Sequence, residues 1–129
     1  MAMSIVNRKY IQKQVRFWLD NINKKEVLPP DIVLLHFRIY EDVNEPYRLS
    51  LSGSKDYNPQ HTTWLGQEDY VPRMKNCTDI KIPYQVAKDE AIRVITKVLS
   101  ETVARRKKFP LLQVKHITTG MDTKIIVIK

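Results

Sequence analysis

This chain contains one cysteine, Cys77, and only three glycines, at positions 53, 66 and 120. A single cysteine excludes an intrachain disulfide framework and fits a reducing compartment, so the cytoplasm is the expected location. Three well-separated glycines leave no Gly-rich phosphate loop. Apolar runs are short, as in Ile125-Ile126-Val127-Ile128, far below the roughly 20 residues that cross a bilayer. The opening MAMSIVNRKY turns polar and basic at once and lacks a signal peptide's apolar segment. No membrane association is expected. Paired Cys or His spacing is also missing, so neither a metal centre nor a cofactor is expected.

What is present suits one domain over residues 1–129. A hydrophobic share of 43% in 129 residues can build a core without disulfides or metal. The formal net charge is +8, which favours association with nucleic acid, acidic headgroups or acidic protein. Its distribution is uneven. The first 25 residues carry Arg8, Lys9, Lys13, Arg16, Lys24 and Lys25 against Asp20 alone. Between 41 and 69, Glu41, Asp42, Glu45, Asp56, Glu68 and Asp69 outnumber Arg48 and Lys55, a local excess of four negative charges. Arg105-Arg106-Lys107-Lys108 then restores the positive excess, so a bipolar molecule is expected.

The pattern predicts a first helix from about Ser4, as N-cap, to about Asn23. Ile11, Val15, Trp18, Leu19 and Ile22 recur every three or four residues and form one stripe. Pro29-Pro30 ends it. Residues 31–40 alternate, with Val33, Leu35, Phe37 and Ile39 on an apolar face and Ile32, Leu34, His36, Arg38 and Tyr40 on the other. Residues 47–52 alternate again, Tyr47, Leu49 and Leu51 inward and Arg48, Ser50 and Ser52 outward, which predicts an antiparallel hairpin.

Gly53-Ser54 and Asn58-Pro59 are turn chemistry. Residues 64–71 are a candidate third, irregular strand, and 72–83 a loop with short strand character around Ile80 to Ile82. A second helix is predicted from about Tyr84 to Lys107, with Ala91, Val94, Ile95, Val98, Leu99 and Val103 as its apolar stripe. A final hairpin joins LLQVKHI and KIIVIK through a turn at Thr119-Gly120, and its last strand, apolar on both faces, reads as interior. The order is α-β-β-(β)-α-β-β, an α+β domain with one antiparallel sheet of four or five strands packed by two helices.

No catalytic set stands out. Cys77 with His61 could form a nucleophile and base, and His36 with His116 an acid–base pair for RNA cleavage. Neither has a local signature; Cys77 reads more simply as a small buried or bystander residue, and His36 and His116 as partly exposed strand residues, so no enzyme is expected. Arg105, Arg106, Lys107 and Lys108, with the basic face of the first helix, form a nucleic-acid candidate. Their simpler role is to answer the helix dipole. Between Ser54 and Tyr70 lie Asp56, Tyr57, His61, Trp64, Glu68, Asp69 and Tyr70. Aromatic rings beside carboxylates suit a cationic protein partner. The simpler reading is that Tyr57, Trp64 and Tyr70 cap one end of the core while the acids solvate the loop, which leaves the acids as the better candidates for the partner.

The same stretch resembles small bacterial immunity proteins of polymorphic-toxin and contact-dependent growth inhibition systems. That pattern is a strand ending Leu-x-Gly-Ser, a Tyr-Asp pair, then Asp-Trp-Ala-Cys-x-Glu before an aromatic and a proline. Leu51-Ser52-Gly53-Ser54, Tyr57-Asn58, and Trp64 with Glu68, Tyr70 and Pro72 follow it. Asn58, Thr63 and Leu65-Gly66 depart from it. The resemblance implies an antidote without activity of its own, bound to a cognate toxin domain. The expected contact residues are Glu41, Asp42, Glu45, Asp56, Tyr57, His61, Trp64, Glu68, Asp69 and Tyr70. Immunity proteins to nucleases tend to be acidic. A chain at +8 therefore implies either a local acidic contact or an acidic toxin.

Overall fold

A computed structural model describes residues 7–60, 64, 67–73, 77–121 and 124–129. Helix α1 (Arg8–Lys25) starts at Asn7, whose side chain accepts from the Tyr10 amide at 3.1 Å. This is the N-cap role expected of Ser4, which lies outside the described residues. The helix runs two residues past Asn23, where the Glu26 amide still donates to Ile22 O at 2.9 Å. Its buried residues are Ile11, Val15, Trp18, Leu19 and Ile22, the stripe that the spacing predicts.

The strands are β1 (Leu34–Tyr40), β2 (Arg48–Ser54), β3 (Cys77–Asp79), β4 (His116–Met121) and β5 (Lys124–Val127). Helix α2 (Lys88–Arg105) and a 3₁₀ turn (Pro110–Gln113) lie between β3 and β4. The α+β class and the element order are as expected. The sheet order is β3-β2-β1-β4-β5, and the pairing is mixed, not wholly antiparallel, because β1 and β4 run parallel. A parallel neighbour needs a crossover connection, and α2 lies within the connection that returns the chain to β1. Local alternation cannot show that step.

Further features differ from the sequence expectations. Among the described residues of 64–71, Tyr70 makes only an isolated bridge with Gly53, and the third strand is instead Cys77–Asp79. Helix α2 starts at Lys88 rather than Tyr84 because Val86 N turns back to Pro83 O at 3.0 Å. Thr119-Gly120 lies inside β4, not in a turn, and Leu111 to Gln113 are 3₁₀ rather than strand. Gly120, at φ +137°, leaves the room in which the Lys124 carbonyl sits. Strand β5 is an edge strand, not an interior one.

Both helices cover one sheet face. Leu35, Phe37 and Ile39 from β1, Leu49 and Leu51 from β2, and Ile117 from β4 are all buried in the core that α1 and α2 close. Trp18 meets Phe37 edge-on, with ring centroids 6.0 Å apart. Tyr47 is buried at the end of this core and donates to Val86 O at 2.7 Å. Burial first, then the nearby Glu41 carboxylate, raises its phenol above the ordinary value. The β1–β2 turn places Asn44 at φ 60°, a left-handed conformation that asparagine tolerates well.

The candidate functional site: the open face of the sheet

Alternation that turns Leu35, Phe37 and Ile39 inward turns His36, Arg38 and Tyr40 to the opposite face. The β1–β2 register sets His36 against Ser52, Arg38 against Ser50 and Tyr40 against Arg48. The β2–β3 register adds Cys77 beside Ser50 and Asp79 beside Arg48. This face therefore collects hydroxyls, guanidiniums, a phenol and a thiol. Together with Trp64 and Glu68 they line an open cleft of about 630 Å³, a size suited to a side-chain cluster or a small molecule.

The charges in the cleft are partly paired. Arg48 lies 3.2 Å from Asp79 and 4.0 Å from Asp42. Its guanidinium is pushed above its ordinary value, first by the Cys77 sulfur and then by Asp79 and Asp42, so it remains charged at any working pH. The Arg38 guanidinium lies over the Tyr40 ring at 4.7 Å, a cation–π contact.

The loop after β2 roofs the other end. Trp64 is only 4% exposed. Its ring meets His36 edge-on at 6.0 Å and Tyr57 at 5.1 Å, while its indole N–H donates to Asn58 O at 2.9 Å. Tyr57 in turn covers His116 at 4.7 Å. Ser54 Oγ donates to Asp56 O at 2.8 Å and accepts from Asp56 N at 3.1 Å, and the Lys55 amide donates to Asp69 Oδ2 at 2.8 Å. The loop is thus closed by its own polar and aromatic groups. Tyr70 joins it to α1: the phenol donates to Glu26 Oε1 at 3.0 Å, and Arg73 N donates to the same oxygen at 3.0 Å. Burial, followed by the Glu26 contact, pushes the Tyr70 phenol well above its ordinary value.

The expected contact residues do not form a single patch. Glu41, Asp42 and Glu45 sit in the β1–β2 turn, whereas Asp56, Glu68 and Asp69 lie in the loop after β2, at the opposite end of the hairpin. Seven-residue strands separate those ends by about 20 Å. Glu68 is exposed on the cleft wall. Glu41 accepts from the Tyr47 hydroxyl at 3.3 Å, and Asp69 is engaged by Lys55. Tyr57, Trp64 and Tyr70 turn inward, onto His116, His36 and Glu26 respectively. His61 lies outside the described residues.

The acid–base pair considered for RNA cleavage shares one sheet face on the adjacent strands β1 and β4, and each ring is packed against an aromatic neighbour. His36 is buried with Nδ1 2.9 Å from Thr118 Oγ1, while His116 is capped by Tyr57 and lies off the cleft wall. Among the described residues no cluster of His, Cys, Asp and Glu could hold a metal ion, and no described helix is long and apolar enough to cross a membrane. In the basic cluster, Arg106 is an interhelical clamp, 2.8 Å from Asp20 and over the Phe109 ring at 5.8 Å. Arg105, Lys107 and Lys108 are exposed.

Residues absent from the sequence-based site are Arg38, Tyr40, Arg48, Ser50 and Ser52 on the cleft floor. Their signal was the outward half of two consecutive alternating strands, which a hairpin must place on one face. Comparisons with protein-family models, with curated proteins and with solved structures give no match.

Proposed function

We propose that this protein is an immunity-type inhibitor that binds a cognate bacterial toxin domain and occludes its active site. It has no reaction of its own and acts in the cytoplasm. The observation that supports this reading is a single sheet sealed by helices on one face and open on the other. Exposed Glu68 stands on the wall of the open cleft, and Glu41, Asp42 and Glu45 stand at its far end. Among the described residues, the Glu45 and Glu68 side chains have no ion-pair or hydrogen-bond partner. These two carboxylates are available to cations of a partner, and the cleft between them offers the Ser50 and Ser52 hydroxyls for hydrogen bonding. A contact of standard size covers about 800 Å² on each side, so the cleft would be its centre.

The test pairs this chain with the toxin domain encoded immediately upstream. Co-expression should relieve the growth arrest caused by that domain, and the purified pair should form a complex by calorimetry. A Glu45→Lys, Glu68→Lys variant should keep its thermal midpoint and lose at least tenfold in affinity. Unchanged affinity would remove this face as the contact; no complex would remove the function.

A further inference from the structure

The outward side of α1 is unlike the rest of the surface. Buried Ile11, Val15, Trp18, Leu19 and Ile22 define its inner stripe, and a 3.6-residue period sends Tyr10, Lys13, Phe17 and Lys24 the opposite way. Phe17 is 65% exposed and Tyr10 49%. Phe37 and Phe109, the other two phenylalanines, are buried and half-buried. Around these rings stand Lys9, Lys13, Arg16, Lys24 and Lys25, all exposed. None of them is ion-paired to a described carboxylate. Asp20, the one acid of the helix, is already held by Arg106.

Helix α2 extends the patch. Gln12 pairs with Glu101, Asp20 with Arg106, and Asn23 with the Leu111 amide. These contacts ascend together, so the helices run the same way and end side by side. Arg16 and Arg105 line one groove between them, and Lys107 and Lys108 follow at the shared end.

We propose that this surface binds single-stranded nucleic acid, with phosphates on the cations and bases stacked on Phe17 and Tyr10. Seven residues of helix set the two rings about 10 Å apart, within reach of bases one or two nucleotides apart on a single strand. Ring faces can stack only on unpaired bases, which favours a single strand over a duplex. The cations are mostly lysines. Lysine is depleted at protein–protein contacts but serves phosphate tracking as a mobile point charge. Lipid insertion is disfavoured because the helix's apolar stripe is buried in the core, leaving only two rings for a membrane.

The test is fluorescence anisotropy of labelled 20-nucleotide oligouridylate and oligothymidylate between 25 and 200 mM KCl. A duplex of equal length and phosphatidylserine vesicles are run beside them. The wild-type chain should bind the single strands, with log affinity falling against log salt at a slope of about −3 for four or five phosphate contacts. Phe17→Ala and Tyr10→Ala should each weaken binding roughly five- to a hundredfold and leave the slope unchanged. Lys13→Gln should flatten the slope by about 0.7. All three side chains are exposed, so circular dichroism should show unaltered folding. No single-strand binding at 25 mM KCl, preference for duplex or vesicles, or full affinity in the Phe17→Ala, Tyr10→Ala double variant would each overturn the proposal.

Discussion

The loop roofing the open sheet face and the outer side of α1 both carry aromatic rings, and they use them in opposite ways. In the loop, Trp64 is 4% exposed and lies against His36 and Tyr57, with its N–H satisfied by Asn58. On α1, Phe17 is 65% exposed amid lysines. A ring packed against rings and hydrogen-bonded to the backbone stabilises the fold. A ring left in water between cations that pair with no described carboxylate gives the fold little and remains available to a ligand. Aromatic density along the chain is therefore a poor guide to binding, because it does not distinguish these two uses.

The largest expected effect tests this contrast directly. Trp64→Ala should cost about 3 kcal/mol or more, as large-to-small changes at buried aromatics do. It should also open the roof over His36. Phe17→Ala should stay within about 0.5 kcal/mol, as exposed substitutions do. Urea denaturation of the two variants is sufficient. Equal losses would erase the distinction between a structural ring and an available one.

A smaller effect should follow from Gly53→Ala, which probes how tightly the roof is joined to β2. A Cβ at this position would lie 2.9 Å from Ile32 Cγ2 and 3.3 Å from Tyr70 Cβ. The Gly53–Tyr70 bridge, closed by amide-to-carbonyl bonds of 2.7 and 3.1 Å, would have to shift. We expect a loss of about 1–3 kcal/mol, typical of overpacking, with quenching of Trp64 fluorescence altered. A neutral substitution would mean that the loop rests on the sheet more loosely than its contacts imply.

Much of the architecture was legible in local periodicity. Ile11 to Ile22 in α1, Ala91 to Val103 in α2, and Leu35, Phe37 and Ile39 in β1 all face the core. What periodicity does not carry is the pairing of distant strands. Nothing in residues 31–40 or 116–121 states that they lie parallel, since that depends on where α2 returns the chain. The last strand illustrates the same limit. Ile126 and Ile128 pack against the core, yet Val127 is 59% exposed, so an apolar run on both faces became an edge. His36 is buried with Trp64 edge-on against it, a long-range event that a strand's own alternation cannot announce. The cleft floor could have been found by carrying the hairpin register across to the polar face. The availability of Phe17 could have been read from its place opposite the buried stripe.

The smallest effect concerns the tether between roof and helix. Tyr70 donates to Glu26 while burial and that carboxylate hold its phenol above the ordinary value near 10. Below pH 10 folded and unfolded chains both keep the proton, so this contribution to stability is complete. Above it the unfolded chain releases its proton first and binds fewer, and stability falls as pH rises through the folded value. Tyr70→Phe should cost about 1 kcal/mol at neutral pH, with Glu26 still accepting from Arg73 N. It should also flatten, but not abolish, the alkaline loss, because Tyr47 is raised as well. Urea midpoints from pH 8 to 11 decide the matter. If wild type and Tyr70→Phe lose stability in parallel above pH 10, then Tyr70 ionises as freely when folded as when unfolded. The roof would then be held to the sheet by Trp64 and Gly53, without the tether to α1.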